Sequence, residues 1–239
     1  MLHFEESGAG EPVLLIHGIA LDSRMWEPQL PLLGQQRRVI RCDLRGYGRS
    51  PLPDGPSAHH EDLRGLLDQL RIARADLVGL SFGAAVAIDF ALQFPQRVSS
   101  LALLDPSLGG WKFSPEIEEA WRAGRREGIE AARKVWLEGP LFAHSRELVR
   151  PMVDAYSGWH WVNKDPVVRQ KPPARERLRQ LRAPTLVIAG ALDHPDFLEI
   201  ARTVAGEIRG ARLELLQGVG HISNLEAPDQ VSDLLLRFL

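Results

Sequence analysis

Short runs of consecutive apolar residues alternate along the chain with segments whose apolar residues recur at helical spacing. Uninterrupted apolar runs of four to six residues are typical of strands that are covered on both faces of a sheet. Helical faces lie between them, for example Leu63, Leu66 and Leu70, and Val231 and Leu235 near the C-terminus. An edge strand is predicted over 2–6, and further strands are predicted over 13–16, 39–42, 76–80, 100–104, 185–189 and 212–216.

Strands that are separated by helices imply right-handed crossovers and a mostly parallel sheet, so the predicted fold class is α/β. In such sheets, functional side chains lie just beyond the carboxyl ends of the strands. The residues that follow the predicted strands include one serine, several acids and two histidines. They are His17, Asp43, Ser81, Asp105, Asp193 and His221.

Residues 107–181 show a different pattern of apolar and polar positions. They contain no strand-like apolar run, only helical patterns interrupted by glycine and proline, and they include five of the six tryptophans. We therefore predict a core formed by 1–106 and 182–239, with 107–181 inserted as a helical cap. The name cap segment is used below for residues 107–181.

Composition narrows the possible partners. The 239 residues suit one domain with an insertion, and the net charge of −2 comes from 29 basic and 31 acidic residues. No basic stretch favours nucleic acid, and no apolar run approaches the 18 residues of a membrane span. The acidic N-terminus resembles no signal peptide, and a single cysteine allows no internal disulfide, so a cytoplasmic location is expected.

Metal and thiol chemistry are also not expected. Cys42 lies inside a predicted strand and is expected to be buried there rather than to act as a nucleophile. The chain has no closely spaced histidine–cysteine pair in a site-like context, so neither a metal nor another cofactor is predicted.

The most informative stretch is a strand that runs directly into Gly79-x-Ser81-x-Gly83, followed by a helix rich in alanine. Glycines on both sides of a serine permit a tight strand-to-helix turn that exposes the hydroxyl for attack. A serine hydroxyl is a poor nucleophile unless a base takes its proton, and His221 is the predicted base. Two acids, Asp193 and Asp105, follow strands and could orient the imidazole ring.

These residues resemble the α/β-hydrolase superfamily over nearly the whole chain. The resemblance rests on His17-Gly18, on Gly79-x-Ser81-x-Gly83, on Asp193 after a late strand and on His221 in a Gly-x-Gly-His loop. It also rests on a glycine-rich turn made of Asp43, Arg45, Gly46, Gly48 and Ser50. The chain is most similar to small esterases and enol-lactonase-like members with a serine nucleophile.

The resemblance implies a twisted, mostly parallel sheet of eight strands flanked by helices, with the cap inserted after the sixth strand. It favours Asp193 over Asp105 as the third member of a Ser81–His221–Asp193 triad. It also implies that the backbone N–H groups of Ile19 and Phe82 form the oxyanion hole. His17 belongs to the oxyanion loop, where it is expected to fix the backbone, and it is also a candidate pocket residue.

The expected substrate is a small, largely apolar carboxylic ester or lactone. Trp159 and Trp161 are candidate pocket residues because they lie in an irregular part of the cap segment, although tryptophans there can also simply pack the cap. Other activities remain open: cleavage of a carbon–carbon bond, cofactor-free perhydrolysis, or binding of a small molecule by a receptor without catalysis. Association into a homodimer is also left open.

Overall fold

The computed structural model describes residues 1–164 and 166–239, and within them the chain forms one seven-stranded sheet. The strands are β1 (Phe4–Ser7), β2 (Glu11–Ile16), β3 (Arg37–Cys42), β4 (Ala75–Leu80), β5 (Val98–Leu104), β6 (Thr185–Gly190) and β7 (Arg212–Leu216). Their order across the sheet is β1-β3-β2-β4-β5-β6-β7. Only β1 runs antiparallel to its neighbour, so the sheet is mostly parallel, as predicted.

Helices connect the strands and cover both faces of the sheet. They are α1 (Leu30–Leu33), α2 (His59–Gln69), α3 (Phe82–Gln93), α4 (Pro115–Glu127), α5 (Ile129–Glu138), α6 (Arg146–Ala155), α7 (Trp159–Val162), α8 (Pro195–Glu207), α9 (Ser223–Glu226) and α10 (Pro228–Phe238). Short 3-10 helices occupy Ser23–Gln29, Pro95–Arg97, Pro140–Phe142, Ala174–Glu176 and Leu178–Gln180.

The expected strand count was wrong by one. The described residues contain seven strands rather than eight, and the helical insertion follows the fifth strand, β5, rather than the sixth. The physical reason lies at the N-terminus. A single strand, β1, precedes β2, and it pairs antiparallel with β3 at the edge of the sheet, with Phe4 opposite Cys42.

The central strands form the hydrophobic core. Every residue of β4 and of β6 is buried, which explains why these strands read as continuous apolar runs in the sequence. Cys42, the last residue of β3, is fully buried, and burial raises the pKa of its thiol. Its placement agrees with a packing role, because a buried neutral thiol is a weak nucleophile.

Between β5 and β6 the described residues form helices α4 to α7 and no strand of the sheet. This segment has an aromatic interior of its own, in which Trp136 packs against Trp121, Phe142 and Trp161. The arrangement agrees with the helical character predicted for the cap segment. The division of the chain into a core and a cap remains a prediction.

Candidate active site

Ser81 sits at a sharp turn between the end of β4 and the start of α3. Its backbone has φ 54° and ψ −114°, a conformation that L-residues rarely adopt. The flanking glycines make the turn possible: a Cβ atom on Gly79 would overlap the carbonyl group of Gly83, and one on Gly83 would overlap the carbonyl oxygen of Ile16. The Gly-x-Ser-x-Gly spacing is therefore a steric requirement of this turn.

A continuous series of hydrogen bonds joins Ser81, His221 and Asp193. The Ser81 Oγ atom lies 3.0 Å from His221 Nε2, and His221 Nδ1 lies 2.9 Å from Asp193 Oδ2. The second oxygen, Asp193 Oδ1, accepts the N–H of His194 at 2.6 Å. The series has the order that serine activation requires, since the imidazole can take the hydroxyl proton while the carboxylate fixes its tautomer.

All three side chains are shielded from solvent, with Ser81 5%, Asp193 6% and His221 3% exposed. Burial by itself lowers the pKa of His221, but the charge and the hydrogen bond of Asp193 outweigh it, with smaller contributions from Asp105 and Glu226. The net result is a pKa above the ordinary value of 6.5. The buried carboxylate thus favours the imidazolium that forms when the serine proton is transferred.

Asp105, the alternative acid, is placed differently. Its Oδ1 atom accepts the N–H of Gly190 at 2.8 Å and its Oδ2 atom accepts the N–H of Ser223 at 3.1 Å. It thus joins the loop that carries Asp193 to the loop that carries His221. Burial and the charge of Asp193 raise the pKa of Asp105 to about 8. Of the two acids, Asp193 is the one hydrogen-bonded to His221 within the described residues.

The two predicted oxyanion donors, both backbone N–H groups, lie in segments that pack against each other. Phe82 is the first residue of α3, where N–H groups have no partner within the helix. Ile19 follows His17-Gly18, and Gly83 packs against the carbonyls of Ile16 and His17, which brings this loop onto the Ser81 turn. Neither N–H donates a hydrogen bond within residues 1–164 and 166–239. Both are therefore available to a developing oxyanion.

His17 is fully buried, and backbone groups occupy both of its ring nitrogens. Nδ1 lies 2.7 Å from the carbonyl oxygen of Gly18, and Nε2 accepts the N–H of Leu44 at 2.9 Å. These partners require a neutral ring with its proton on Nδ1, and burial lowers the pKa of His17 in the same sense. The placement agrees with a role in fixing the backbone and not with the candidate role in the substrate pocket.

The two candidate pocket tryptophans have different surroundings. Trp161 is 1% exposed and packs edge-on against Tyr156, with Gly124 of α4 directly against it, so it fills the interior of the cap segment. Trp159 is only partly buried, and its ring contacts His160. The structure thus gives Trp161 the packing role, and Trp159 remains a candidate for substrate contact.

The aromatic contacts of Phe197 and Tyr47 near the site were not anticipated from the sequence. The ring of Phe197, on α8, lies 4.2 Å from the ring of His221 and 5.5 Å from the ring of Phe113. The ring of Tyr47 stacks on His160 at 4.5 Å and lies 6.2 Å from the ring of Phe82, the residue after Ser81. An apolar periodicity shows that such residues are buried, but not which side chain they meet.

The described residues contain neither a candidate metal site nor a candidate membrane-spanning helix. No group of three histidine, cysteine, aspartate or glutamate side chains there is arranged to hold a metal ion. None of the helices in the same residues combines the length and apolarity needed to cross a bilayer.

Comparisons with known proteins show which hydrolases this chain is similar to. The chain is 29% identical to a 2-hydroxymuconate semialdehyde hydrolase from Pseudomonas sp. (strain CF600), over 99% of this chain and 89% of the relative. A thermophilic esterase from Thermogutta terrifontis superposes with a TM-score of 0.84 at 30% identity, covering 99% of this chain and 92% of the esterase. The enol-lactonase from Burkholderia xenovorans LB400 gives a TM-score of 0.84 at 27% identity, covering 99% and 95%.

These relatives are all hydrolases, and they differ in the bonds that they break. The sequence model that describes the alpha/beta hydrolase family matches residues 13–234, which include the Ser81 turn, Asp193 and His221. The match extends over almost the whole sheet and over the inserted helices. The chain is a hydrolase that belongs to the alpha/beta hydrolase family.

Proposed function

We propose that this hydrolase cleaves a small, largely apolar carboxylic ester or lactone through an acyl-enzyme formed on Ser81. One observation carries the proposal: His221 Nε2 lies 3.0 Å from Ser81 Oγ while its Nδ1 lies 2.9 Å from Asp193. This arrangement supplies a nucleophile, a base and an orienting acid within hydrogen-bonding distance of one another.

In the first half-reaction, Ser81 Oγ attacks the carbonyl carbon and its proton passes to His221 Nε2. The tetrahedral intermediate collapses when the carbon–oxygen bond to the alcohol breaks and His221 gives the proton to the departing oxygen. In the second half-reaction, water gives a proton to His221 and attacks the acyl carbon. Ser81 then leaves with that proton, and the carboxylic acid is released.

The charge on the tetrahedral oxygen would be held by the N–H groups of Ile19 and Phe82. Donors of this kind contribute roughly 3 kcal/mol each to the transition state when they are fixed before the reaction begins. The low exposure of Ser81 and His221 supports the same mechanism, because exclusion of water strengthens these hydrogen bonds.

The apolar substrate class rests on what surrounds the turn. Ile19 and Phe82, the two residues whose N–H groups face the intermediate, have apolar side chains that are only partly buried. The ring of Phe82 has Tyr47 and His59 as its neighbours. A small acyl group with apolar or aromatic character fits these walls better than a strongly charged one.

Carbon–carbon bond cleavage is the second candidate, and a specific comparison favours it. The 2-hydroxymuconate semialdehyde hydrolase of Pseudomonas matches 99% of this chain, so the same residues could serve that reaction. Cofactor-free perhydrolysis would use the same hydrogen-bonded series and stands beside carbon–carbon cleavage as an alternative. A receptor function without catalysis is the weaker candidate, because Ser81, His221 and Asp193 are all present and hydrogen-bonded.

The test is a substrate panel assayed with the wild type and with Ser81→Ala. It contains p-nitrophenyl esters of two to twelve carbons, several lactones and 2-hydroxymuconate semialdehyde. We expect turnover of short esters or lactones by the wild type and a loss of at least about 10⁴-fold in Ser81→Ala. Preference for the semialdehyde would establish the second candidate. Turnover that survives the Ser81 change would overturn the mechanism, and wild-type protein that binds but turns over nothing would indicate a receptor.

A further inference from the structure

Glu226 forms hydrogen bonds on both sides of His221. Its Oε2 atom accepts the N–H of Gly220 at 2.6 Å, and its Oε1 atom accepts the N–H of Ile222 at 3.2 Å. One carboxylate therefore holds the two peptide groups that immediately flank the histidine. Hydrogen bonds to a charged acceptor are the stronger kind, so this contact restrains the His221 backbone more firmly than a neutral turn would.

The local sequence is built around this contact. Glu226 is the last residue of α9, a helix of four residues that begins two positions after His221 and folds the chain back over its own loop. Gly220 leaves room for the carboxylate, since a Cβ atom there would lie 3.1 Å and 3.2 Å from the two Glu226 oxygens. That Cβ atom would also lie 3.0 Å from the His144 ring of the cap segment.

The next N–H along the loop is held by a second acid. Ser223 donates to Asp105 Oδ2, and the other oxygen of Asp105 accepts from Gly190 at the end of β6. Three N–H groups around His221 thus point at two carboxylates. Asp105 fixes the loop relative to the sheet, whereas Glu226 fixes the curvature of the loop itself.

From this geometry we infer that Glu226 is a positioning residue for the His221 base, an inference that rests on the proposed serine mechanism. It touches neither Ser81 nor the imidazole ring through a hydrogen bond. Its effect is to hold the ring at the angle that lets Nε2 reach Ser81 while Nδ1 reaches Asp193. Its negative charge also favours the imidazolium, as do Asp193 and Asp105, the other acidic groups close to His221.

Glu226→Gln tests the inference, because glutamine keeps the length of the side chain but presents an amide N–H₂ to one of the two backbone donors. Asp76→Asn is the matched control: this buried carboxyl accepts a hydrogen bond from Ser100 and pairs with Arg37, at the opposite end of β4 from Ser81. The His221 pKa is measured by NMR titration of protein labelled with ¹⁵N-histidine, and labelling of Ser81 by a fluorophosphonate is followed in parallel.

We expect Glu226→Gln to lower the His221 pKa by roughly half a unit and to slow fluorophosphonate labelling at least tenfold. Asp76→Asn should reduce thermal stability while leaving both values at their wild-type levels. A wild-type His221 pKa and labelling rate in folded Glu226→Gln would overturn the inference. If Glu226→Gln does not fold, Glu226→Asp is measured instead. Its shorter side chain should reach only one of the two N–H groups, and wild-type values in that variant would equally overturn it.

The titration also separates this inference from the proposed function. It measures the protonation of the His221 imidazole directly and needs no substrate. The result is therefore informative even if esters and lactones are not hydrolysed. Suppose that no ester or lactone is hydrolysed but the His221 pKa is shifted in Glu226→Gln. Glu226 would then still be the residue that positions His221, and only the proposed substrate class would be rejected.

Discussion

The ring of His17 holds the carbonyl of Gly18, with Nδ1 2.7 Å from the carbonyl oxygen, and this bond sets the direction of the Ile19 N–H. The two groups belong to one planar trans peptide, in which the C=O and N–H bonds point in opposite directions. The N–H of Leu21 also donates to the Gly18 carbonyl, at 3.3 Å. A buried histidine outside the Ser81–His221–Asp193 series therefore orients a predicted oxyanion donor.

Replacing His17 by phenylalanine should impair turnover far more than binding. The substitution keeps an aromatic ring but removes the bonds to Gly18 and Leu44. The Gly18 carbonyl then keeps the longer bond from the Leu21 N–H, so the Ile19 peptide is held less firmly. Loss of one oxyanion donor costs about 10²–10³ in kcat, and we expect a decrease within that range with KM changed less than threefold. Steady-state kinetics with a p-nitrophenyl ester provide the measurement.

His60→Phe is the control for this change, since His60 lies on α2 and its ring contacts Phe94 rather than a backbone group of the oxyanion loop. It should retain wild-type kcat. A His17→Phe enzyme with wild-type kcat would show that the loop keeps its orientation without the histidine.

The pH dependence of kcat/KM follows from the raised pKa of His221. The imidazole must be neutral to accept the Ser81 proton, so activity should fall as the pH drops through its folded pKa, which lies above 6.5. Asp193→Asn removes the negative charge that raises this pKa and replaces the carboxylate acceptor of Nδ1 by a neutral amide. It should move the acidic limb to lower pH and lower kcat by about 10⁴-fold.

Asp105→Asn provides the comparison, because it also removes a carboxyl close to His221 but not the one bonded to Nδ1. It should retain more activity than Asp193→Asn at every pH. An Asp105→Asn variant that is the less active of the two would reassign the orienting acid to Asp105.

Asp89, on α3, should make the stability of the folded protein depend on pH. Burial raises its pKa to about 6, against a smaller opposing effect of Arg177. The folded protein therefore binds the Asp89 proton more tightly than the unfolded chain does. As the pH rises from about 4 through 6 this proton is lost, and the free energy of unfolding decreases. Asp89→Asn should raise Tm by roughly 3 °C at pH 8 and change it little at pH 4.5.

Thermal unfolding followed by circular dichroism at the two pH values measures this difference. An equal change in Tm at pH 4.5 and pH 8 would mean that ionisation of Asp89 does not contribute to stability.

The two tryptophans of α7 should give contrasting phenotypes. Trp161→Ala removes a ring that is packed inside the cap segment, and truncation of such a buried ring costs about 3–5 kcal/mol. Trp159→Ala should leave Tm within a few degrees of the wild type and raise KM for the larger aromatic esters. Differential scanning calorimetry and a KM series test the pair together, and unchanged KM values in Trp159→Ala would remove it from the pocket.

Much of the fold could be predicted because it depends on local patterns. Buried parallel strands are apolar on both faces, so β2, β4, β5 and β6 stood out as continuous runs. The steric need for Gly79 and Gly83 also made the Ser81 turn visible. The strand count depended on a family expectation, and it failed at the N-terminus, where β1 alone precedes β2.

The supporting parts of the candidate site could not be found in this way. Glu226 is one of many glutamates in the chain, and its function depends on a four-residue helix that returns it to Gly220. The same limit applies to Phe197, whose helical spacing indicates burial but not its contact with His221. In α7, with only four residues, spacing could not tell whether Trp159 or Trp161 points into the cap interior.

The acyl-enzyme on Ser81 is tested most directly by mass spectrometry of the protein quenched with acid during turnover of a p-nitrophenyl ester. We predict one added acyl group per chain, located on the peptide that contains Ser81, and no adduct in Ser81→Ala. An acyl group on any other residue, or turnover of the ester without an adduct that depends on Ser81, would contradict the mechanism.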